Sequence, residues 1–202
     1  MTLIPTFIII SERSDFTGMR TLASFLAILL LSGLPAHLCA TPQEAAPQEQ
    51  TTFGVEDDFQ RPVALPVGAL ETLRASKDKN DLLQECAEEE GIRPSEIPAS
   101  WFVASKIRLT NSSTGLVVRG ETRCLAGAHI TQFWLLAKSE TGAYRIVFRG
   151  RGDGFALLST RTNGYRDLEL IIVTQAGANV DAVKFRYSQG FYRVSGHHIT
   201  HN

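Results

Sequence analysis

The stretch from Tyr144 to Val173, YRIVFRGRGDGFALLSTRTNGYRDLELIIV, constrains the fold more than any other part of the chain. Three short apolar runs are separated first by Gly-Asp-Gly and then by Asn163-Gly164. This spacing is typical of consecutive antiparallel strands joined by tight turns. Asn-Gly is the stronger signal, because a type I′ turn needs positive φ at both central residues. The stretch therefore predicts a β-hairpin at Asn163-Gly164 inside an antiparallel sheet.

A two-residue alternation of apolar and polar side chains extends over the whole second half of the chain and predicts eight strands. They are Phe102–Leu109, Gly115–Arg119, Thr131–Lys138, Tyr144–Arg149, Phe155–Thr160, Leu168–Thr174, Ala182–Tyr187 and Phe191–Val194. Each gap carries a turn signal, and no gap after Thr131 could hold a crossover helix. The strands should therefore pair antiparallel, as a meander.

The same alternation predicts which side chains point inward. Tyr144, Ile146 and Phe148 should share one face of their strand, and the arginines at positions 145 and 149 should share the other. Leu168 to Val173 is apolar at nearly every position. That pattern is typical of a central strand covered on both faces.

Val67 to Glu90 is the helical part of the chain. Apolar residues recur there at intervals of three and four, which places them on one side of a helix. Lys77 to Asn80 interrupts the pattern, so two helices with a polar turn are expected, and Gly91 fits the position after a helix C-terminus. The predicted fold class is α+β: one or two N-terminal helices followed by an antiparallel β-meander of seven to eight strands.

The N-terminal residues have the pattern of a secretory signal peptide. Met19-Arg20 precedes an apolar run from Thr21 to Leu34, followed by Pro35 and small residues near Ala40. A membrane anchor is the alternative, but the run is shorter than the ~20 residues that a span needs. We therefore expect residues 1–40 to be a leader with its true start at Met19, and the mature chain to be exported, periplasmic or secreted.

Composition predicts the nature of two further segments. Residues 41–60 are rich in Pro, Gln, Glu and Thr, which predicts a flexible linker. A single α+β domain is expected over residues 61–196, with a disordered tail over 197–202. Three histidines in that tail, His197, His198 and His201, could hold a metal ion, but they have no acidic neighbour in sequence. No metal site and no cofactor are predicted.

Two cysteines, Cys86 and Cys124, remain once the leader is removed; Cys39 lies near its end, where lipidation is a minority possibility because Leu38 precedes it. An even pair in an exported chain predicts a disulfide. The bridge would join the helical segment to the loop after the second predicted strand. Two free buried thiols are the alternative.

The charges are distributed unevenly along the chain. Residues 41–97 hold 13 acidic and five basic residues, whereas residues 98–202 hold six acidic and 13 basic ones. One interpretation is internal pairing of an acidic helical layer with a basic sheet. The other is an arginine-rich face for an anionic partner, since the planar guanidinium suits carboxylate and phosphate. The expected partner is a protein or an anionic ligand of the cell envelope, with no nucleic acid and no stable membrane span.

No catalytic motif stands out in the sequence. There is no nucleophile elbow around Ser195, no phosphate-binding loop and no zinc-protease motif. Arg151-Gly152-Asp153 is explained by its turn, and Asn111 begins a sequon that matters only in a glycosylating host. No catalytic residue is predicted, and a non-enzymatic binding or inhibitor-like role is expected. The alternative is a hydrolase of envelope polymers with Asp153, Asp167 or Glu169 as its acid.

Five residues are candidates for ligand binding. They are Tyr165, Arg166, Asp167, Arg149 and Arg151. The first three follow the Asn-Gly turn, where a rigid hairpin tip would present a ring, a guanidinium and a carboxylate to a polar or sugar-like ligand. The other interpretation is architectural, with the ring packed on the core edge and the charges paired to neighbouring strands.

Several segments resemble a family of small uncharacterised bacterial secreted proteins. They are Trp101-Phe102, KIRLTNSSTGLVV, CLAGA, QFWLL, TNGYRD and FRYSQGFYR. The resemblance covers about Pro98 to Val194. In such relatives the loop after the first strand looks like an acidic D-x-N-x-D-G turn, as in FG-GAP-like calcium loops. Here residues 110–115 read TNSSTG, so the carboxylates are missing and calcium is not expected. The resemblance implies an exported α+β domain and no particular activity.

Overall fold

Ten strands form two five-stranded antiparallel sheets in the part of the chain that the computed structural model describes, residues 48–78, 82–174 and 179–201. The strands are β1 Thr52–Gly54, β2 Pro62–Val63, β3 Phe102–Arg108, β4 Thr114–Gly120, β5 Thr131–Lys138, β6 Tyr144–Gly152, β7 Gly154–Thr162, β8 Tyr165–Thr174, β9 Asn179–Ser188 and β10 Phe191–His201. The central sheet has the order β2-β3-β4-β5-β6, and the outer sheet has the order β1-β7-β8-β9-β10.

Two short helices form a third layer. Helix α1 spans Val67–Arg74 and α2 spans Leu83–Glu89, and short 3-10 turns follow at Pro94–Glu96 and Ala99–Trp101. Gly91 has a φ of 69°, and the next residue donates its backbone N–H to Ala87 O over 2.9 Å, which closes the C-terminus of α2. The prediction of two helices is confirmed, although residues 79–81 of the turn between them lie outside the described part.

The central sheet is covered on both faces. The helices bury Leu73, Leu83 and other apolar residues against one face, where Trp134 of β5 lies. The opposite face of β5, with Phe133 and Leu135, packs against the outer sheet. Seven consecutive residues of β5 are therefore buried. The layer order is helices, central sheet, outer sheet.

The fully covered strand is therefore β5 and not the one predicted from the sequence. In β8, Leu168 and Leu170 face the core between the sheets, but Val173 is exposed. Only one face of the outer sheet is covered by another layer within the described residues. The prediction that Leu168 to Val173 is covered on both faces was wrong. The run is apolar, but its end at Val173 lies in a part of β8 that is covered on one face only.

The α+β class is confirmed, and each of the eight predicted strands is present. The strand count of seven to eight was too low, since β1 and β2 are only three and two residues long. The single meander was also wrong. Gly-Asp-Gly carries the chain from β6 in the central sheet to β7 in the outer sheet. At this corner Asp153 N donates to Ile171 O over 2.8 Å, and a Cβ on Gly152 would lie 2.5 Å from the same oxygen.

A bulge in β6 overturns the predicted facing of its side chains. Leu135 pairs with Phe148 and Leu136 pairs with Ile146, so Val147 is the extra residue. One inserted residue reverses every later side chain. Ile146 consequently packs on the helical side and Phe148 between the sheets. The two arginines that were expected to share a face, at positions 145 and 149, lie on opposite faces.

The boundaries predicted from composition need two corrections. The expected linker, residues 41–60, contains β1, and Phe53 is 0% exposed in the core between the sheets. The expected disordered tail, residues 197–202, belongs through His201 to β10, which pairs with β9 along its length. Composition missed both segments. The buried ring of Phe53 orders the first one, and the ladder of backbone hydrogen bonds to β9 orders the second. The predicted leader and Cys39 lie outside the described residues.

Cys86 and Cys124 form the predicted disulfide. Their Cα atoms lie 5.4 Å apart and are separated by 38 positions in the chain. The bridge attaches α2 to the loop between β4 and β5. Within residues 48–78, 82–174 and 179–201, no helix has the length and apolar character needed to cross a membrane.

Candidate binding site on the outer sheet

The Asn-Gly turn is built as the sequence predicts. Asn163 and Gly164 have φ values of 51° and 81°, as a type I′ turn requires. The Asn163 amide donates to Tyr187 O over 3.0 Å. Tyr165 stacks on the Tyr187 ring with their centroids 3.7 Å apart. The tip is therefore tied to β9, and Tyr165 has an architectural contact rather than a free face for a ligand.

Arg166 is buried and its guanidinium is fully engaged. It donates to Leu157 O over 2.8 Å and to Leu158 O over 2.9 Å. Its third contact is an ion pair with Glu49, whose carboxylate oxygen lies 3.3 Å away. Burial lowers the pKa of Arg166 from its ordinary value, and Glu49 opposes that shift. Arg166 thus satisfies carbonyl groups that the β7–β8 ladder leaves without partners.

The two arginines of β6 belong to a different part of the molecule. Arg149 lies on the helical side of the central sheet, 3.1 Å from an Asp78 oxygen and with its guanidinium 5.7 Å from the Phe191 ring centre. Arg151 is exposed. Neither residue joins the three candidates on β8, which lie in the outer sheet.

Asp167 differs from its neighbours Tyr165 and Arg166. Its side chain is 6% exposed, and its Oδ1 accepts no hydrogen bond from any described residue. A buried carboxylate oxygen without a donor costs free energy, and native structures contain few of them. Asp167 lines a depression on the uncovered face of the outer sheet.

This outer depression has a volume of about 380 Å³ and is open to solvent. Its lining residues come from four neighbouring strands: Leu158, Ser159, Thr160, Asp167, Glu169, Lys184, Phe185, Arg186 and Ser195. Carboxylates, cations and hydroxyl groups therefore meet in one concave site. Convergent polar groups in a concavity are the usual form of a ligand site.

Two bulges lie at the same level of the sheet as this concavity. In β7, three residues, 158–160, lie opposite Asp167 alone, because the register shifts between Leu157 and Arg161. In β10, the register shifts between Val194 and Gly196, which makes Ser195 an extra residue. Bulges bend strands and redirect side chains, and they are frequent beside functional sites. Here residues from both bulges line the outer depression.

Charges in the outer depression are sorted by strand. The carboxylates of Asp167 and Glu169 lie on β8, whereas Lys184 and Arg186 lie on β9. Arg193 of β10 is the register partner of Arg186, so two arginines lie directly opposite each other on neighbouring strands. None of the ion pairs within residues 48–78, 82–174 and 179–201 involves these three cations. In this set the Glu169 carboxylate lies within ion-pair distance of His198 alone, at 3.8 Å.

A larger concavity of about 680 Å³ lies elsewhere and is lined by Glu56, Asp57, His129 and Asp153. Its acidic residues have structural contacts. Asp57 Oδ2 accepts the Gly54 N–H over 2.9 Å, and Asp153 Oδ2 accepts the Val173 N–H over 2.8 Å. The structure thus separates Asp153 from Asp167 and Glu169, with which it was grouped as a candidate acid.

Two other motifs have structural explanations. In the loop that resembles a calcium turn, Thr110 Oγ1 accepts the backbone N–H groups of Ser112 and Ser113 over 3.2 and 2.8 Å. In the C-terminal histidine motif, His197 contacts Asp181 and His198 lies near Glu169, so the acidic neighbours absent from the sequence come from other strands. The described residues contain no group of three or more His, Cys, Asp or Glu that could hold a metal ion.

Sequence reasoning named Asp167 and Glu169 but missed Lys184, Arg186 and Ser195. The alternation of Lys184 and Arg186 with Val183, Phe185 and Tyr187 is the sequence signal that could have found these two cations on the solvent-facing side of β9. The bulges that create the concavity have no signal in the sequence, because they depend on pairing between strands.

No family model matches this chain, and neither the curated proteins nor the solved structures contain a match. The resemblance to small secreted bacterial proteins stays a prediction.

Proposed function

We propose that this chain is an exported, non-enzymatic binding protein of the cell envelope that binds a small polar ligand in the outer depression. The observation that supports this most is Asp167, a buried carboxylate with an oxygen that no described residue satisfies. Folding gains nothing from such a group. A ligand that donates a hydrogen bond to the accessible oxygen of this carboxylate would offset part of that cost.

The contrast with other charged residues supports the same proposal. Asp78 pairs with Arg149 and Glu49 pairs with Arg166, so acidic groups from the first half of the chain do meet the basic sheet. Internal pairing therefore accounts for part of the charge asymmetry. It does not account for the cations on the uncovered face of the outer sheet, which remain available for an anionic group of a ligand.

Export is the second component of the proposal and rests on the leader-like N-terminus and the Cys86–Cys124 disulfide, which fits an oxidising compartment. The test is fractionation of cells that express the full chain with a C-terminal epitope. The expected result is a shortened protein outside the cytoplasm. Full-length protein that stays in the cytoplasm would overturn this component.

Binding is tested with isotope-labelled mature protein and soluble glycopeptide fragments from a bacterial cell wall. Two-dimensional ¹⁵N–¹H spectra should show shifts concentrated in residues 158–160, 167–169 and 184–186. Glu169→Gln and Arg186→Gln should weaken the effect. Glu71→Gln and Arg123→Gln, which neutralise exposed residues on a helix and a loop, serve as controls. Shifts centred elsewhere, or none, would contradict binding at this site.

A hydrolase of envelope polymers is the alternative, and one observation favours it. Asp167 and Glu169 line the same concavity, as the two carboxylates of a glycosidase would. Release of reducing ends from soluble cell-wall glycan is the measurement. We expect no release by the wild-type protein. Release that disappears in Glu169→Gln, with an unchanged melting temperature, would establish the enzyme instead.

A further inference from the structure

The charges of the outer depression are separated in space rather than mixed. Neighbouring strands of a sheet lie ~4.8 Å apart, so the carboxylates on β8 and the cations on β9 form two parallel rows about one strand spacing from each other. Glu169 and Lys184 are register partners, yet no ion pair joins them. The two rows lie side by side without a direct ion pair between them, so the charged groups of both rows can still bind a ligand.

Each row presents an unfavourable arrangement of like charges. Asp167 and Glu169 lie two residues apart on β8, a spacing that places both on one face of the strand. Arg186 and Arg193 are direct cross-strand partners, and like charges in that position are destabilising. The negative row would be relieved by a cation, and the positive row by an anion. One ligand with both groups would relieve both rows.

We propose that the outer depression recognises a small zwitterion, whose ammonium group binds Asp167 and Glu169 and whose carboxylate binds Lys184 and Arg186. The inference rests on the binding function proposed above and names its ligand class. The two charged groups of the ligand should be separated by about one strand spacing, ~4.8 Å. A short ω-amino acid such as 4-aminobutanoate has this form.

The geometry disfavours other polar ligands. A polyanion, such as a nucleic acid or an acidic glycan, would place negative charge against Asp167 and Glu169. A neutral sugar would offer no charged group to either row. It would also lack a stacking surface, since Phe185, the single aromatic residue of the lining, packs its ring 4.9 Å from that of Phe148 in the core. Ser159 and Thr160 are exposed residues of the lining, and their hydroxyl groups can accept further hydrogen bonds from the ammonium group.

The experiment measures dissociation constants of three matched probes by ¹⁵N–¹H titration of the mature protein. The probes are 4-aminobutanoate, butylamine, which has only the ammonium group, and butanoate, which has only the carboxylate. The zwitterion should bind at least about tenfold more tightly than either single-charge probe. It makes one more charged, hydrogen-bonded contact than they do, and such a contact is expected to raise affinity by about that factor or more. Trialanine, with the same groups at the ends of a peptide, should bind no more tightly than butanoate.

Two variants then test the negative row and the positive row separately. Glu169→Gln should reduce zwitterion affinity to the level of butanoate, and Arg186→Gln should reduce it to the level of butylamine. Both residues are at least partly exposed, so the variants should retain the wild-type melting temperature. Glu71→Gln and Arg123→Gln should leave all three constants unchanged.

Equal affinities for the zwitterion and a single-charge probe would overturn the inference, as would unchanged affinities in both variants. If cell-wall fragments shift the outer depression while 4-aminobutanoate does not, the ligand class is wrong and the binding function stands. If neither shifts it, both proposals fall.

Discussion

The central sheet and the outer sheet bury their side chains differently. The central sheet has helices on one face and the outer sheet on the other, and β5 is apolar and buried almost throughout. The outer sheet has a single apolar face, and Asp167, Lys184 and Arg186 on its other face form no ion pairs among the described residues. The buried side chains of the central sheet therefore stabilise the fold, whereas the charged groups on the uncovered face of the outer sheet contribute little to its stability.

The difference is sharpest between two adjacent residues of β8. Arg166 and Asp167 are both buried, at 8% and 6% exposure. Arg166 satisfies two carbonyl groups and pairs with Glu49. Asp167 leaves one oxygen without a donor. We infer that Arg166 stabilises the fold and that Asp167 is retained for a ligand.

The largest effect is expected in the central sheet. Trp134→Ala removes a fully buried ring that packs edge-on against Phe102, with ring centres 5.6 Å apart. The free energy of unfolding should fall by ~3–5 kcal/mol. Urea denaturation followed by circular dichroism measures it. Glu169→Ala, on the uncovered face, is the control and should change stability by less than about 1 kcal/mol. Equal losses in the two variants would invalidate the comparison of the sheets.

The helical layer depends on its covalent link to the central sheet. Replacing both Cys86 and Cys124 by alanine should lower stability by ~2–4 kcal/mol, because the bridge closes a long loop. The same urea titration measures this change. Reductant should destabilise the wild-type protein but not the double variant. A wild-type midpoint that is insensitive to reductant would show that the bridge contributes nothing to folding.

The Asn-Gly turn joins β7 to β8 in the outer sheet. Gly164→Val places a β-branched residue at a φ of 81° and should cost ~1–3 kcal/mol. Thr162→Val, at the neighbouring strand position, is the control and should melt like the wild type. Thermal melts compare the two. If Gly164→Val melts like Thr162→Val, the turn is not of the tight type seen here.

The covered face of the outer sheet should respond to alkaline pH. Tyr192 is buried and donates its hydroxyl to Arg166 O over 2.8 Å. Burial, foremost, raises the pKa of Tyr192 well above its usual range. The folded protein therefore holds this proton more tightly than the unfolded chain does. Its contribution to stability is complete below pH ~10 and is lost as the pH rises beyond that.

Urea midpoints between pH ~8 and ~11 measure this dependence. Tyr192→Phe should be less stable at neutral pH by ~1 kcal/mol, because it lacks the hydrogen bond. Its stability should then fall less steeply with pH than that of the wild type. Parallel slopes for the two proteins would exclude Tyr192 as the titrating group.

Local signals in the sequence predicted much of the fold. Two-residue alternation located eight strands, helical periodicity located both helices, and Asn163-Gly164 located the turn, because each signal depends on neighbouring residues only. The cysteine pair, read with the leader, predicted the disulfide. The bulge at Val147, the change of sheet at Asp153 and the strand around Phe53 depend on distant partners, which one sequence does not reveal.

The candidate site was predicted less completely, for the same reason. Asp167 was named as part of a hairpin tip, together with Tyr165 and Arg166, but the structure gives those two residues architectural contacts. The neighbours of Asp167 in the outer depression come instead from β7, β9 and β10. Only the register of the strands and their bulges places Lys184 and Arg186 beside it.

The measurement that tests the central claim compares Arg166→Met with Asp167→Asn in urea denaturation at neutral pH. Arg166→Met should lose at least ~2 kcal/mol, because it leaves Glu49 and two carbonyl groups without their donor. Asp167→Asn should stay within ~1 kcal/mol of the wild type, because it removes a buried charge with an unsatisfied oxygen. A loss in Asp167→Asn as large as that in Arg166→Met would contradict the account and make Asp167 part of the fold.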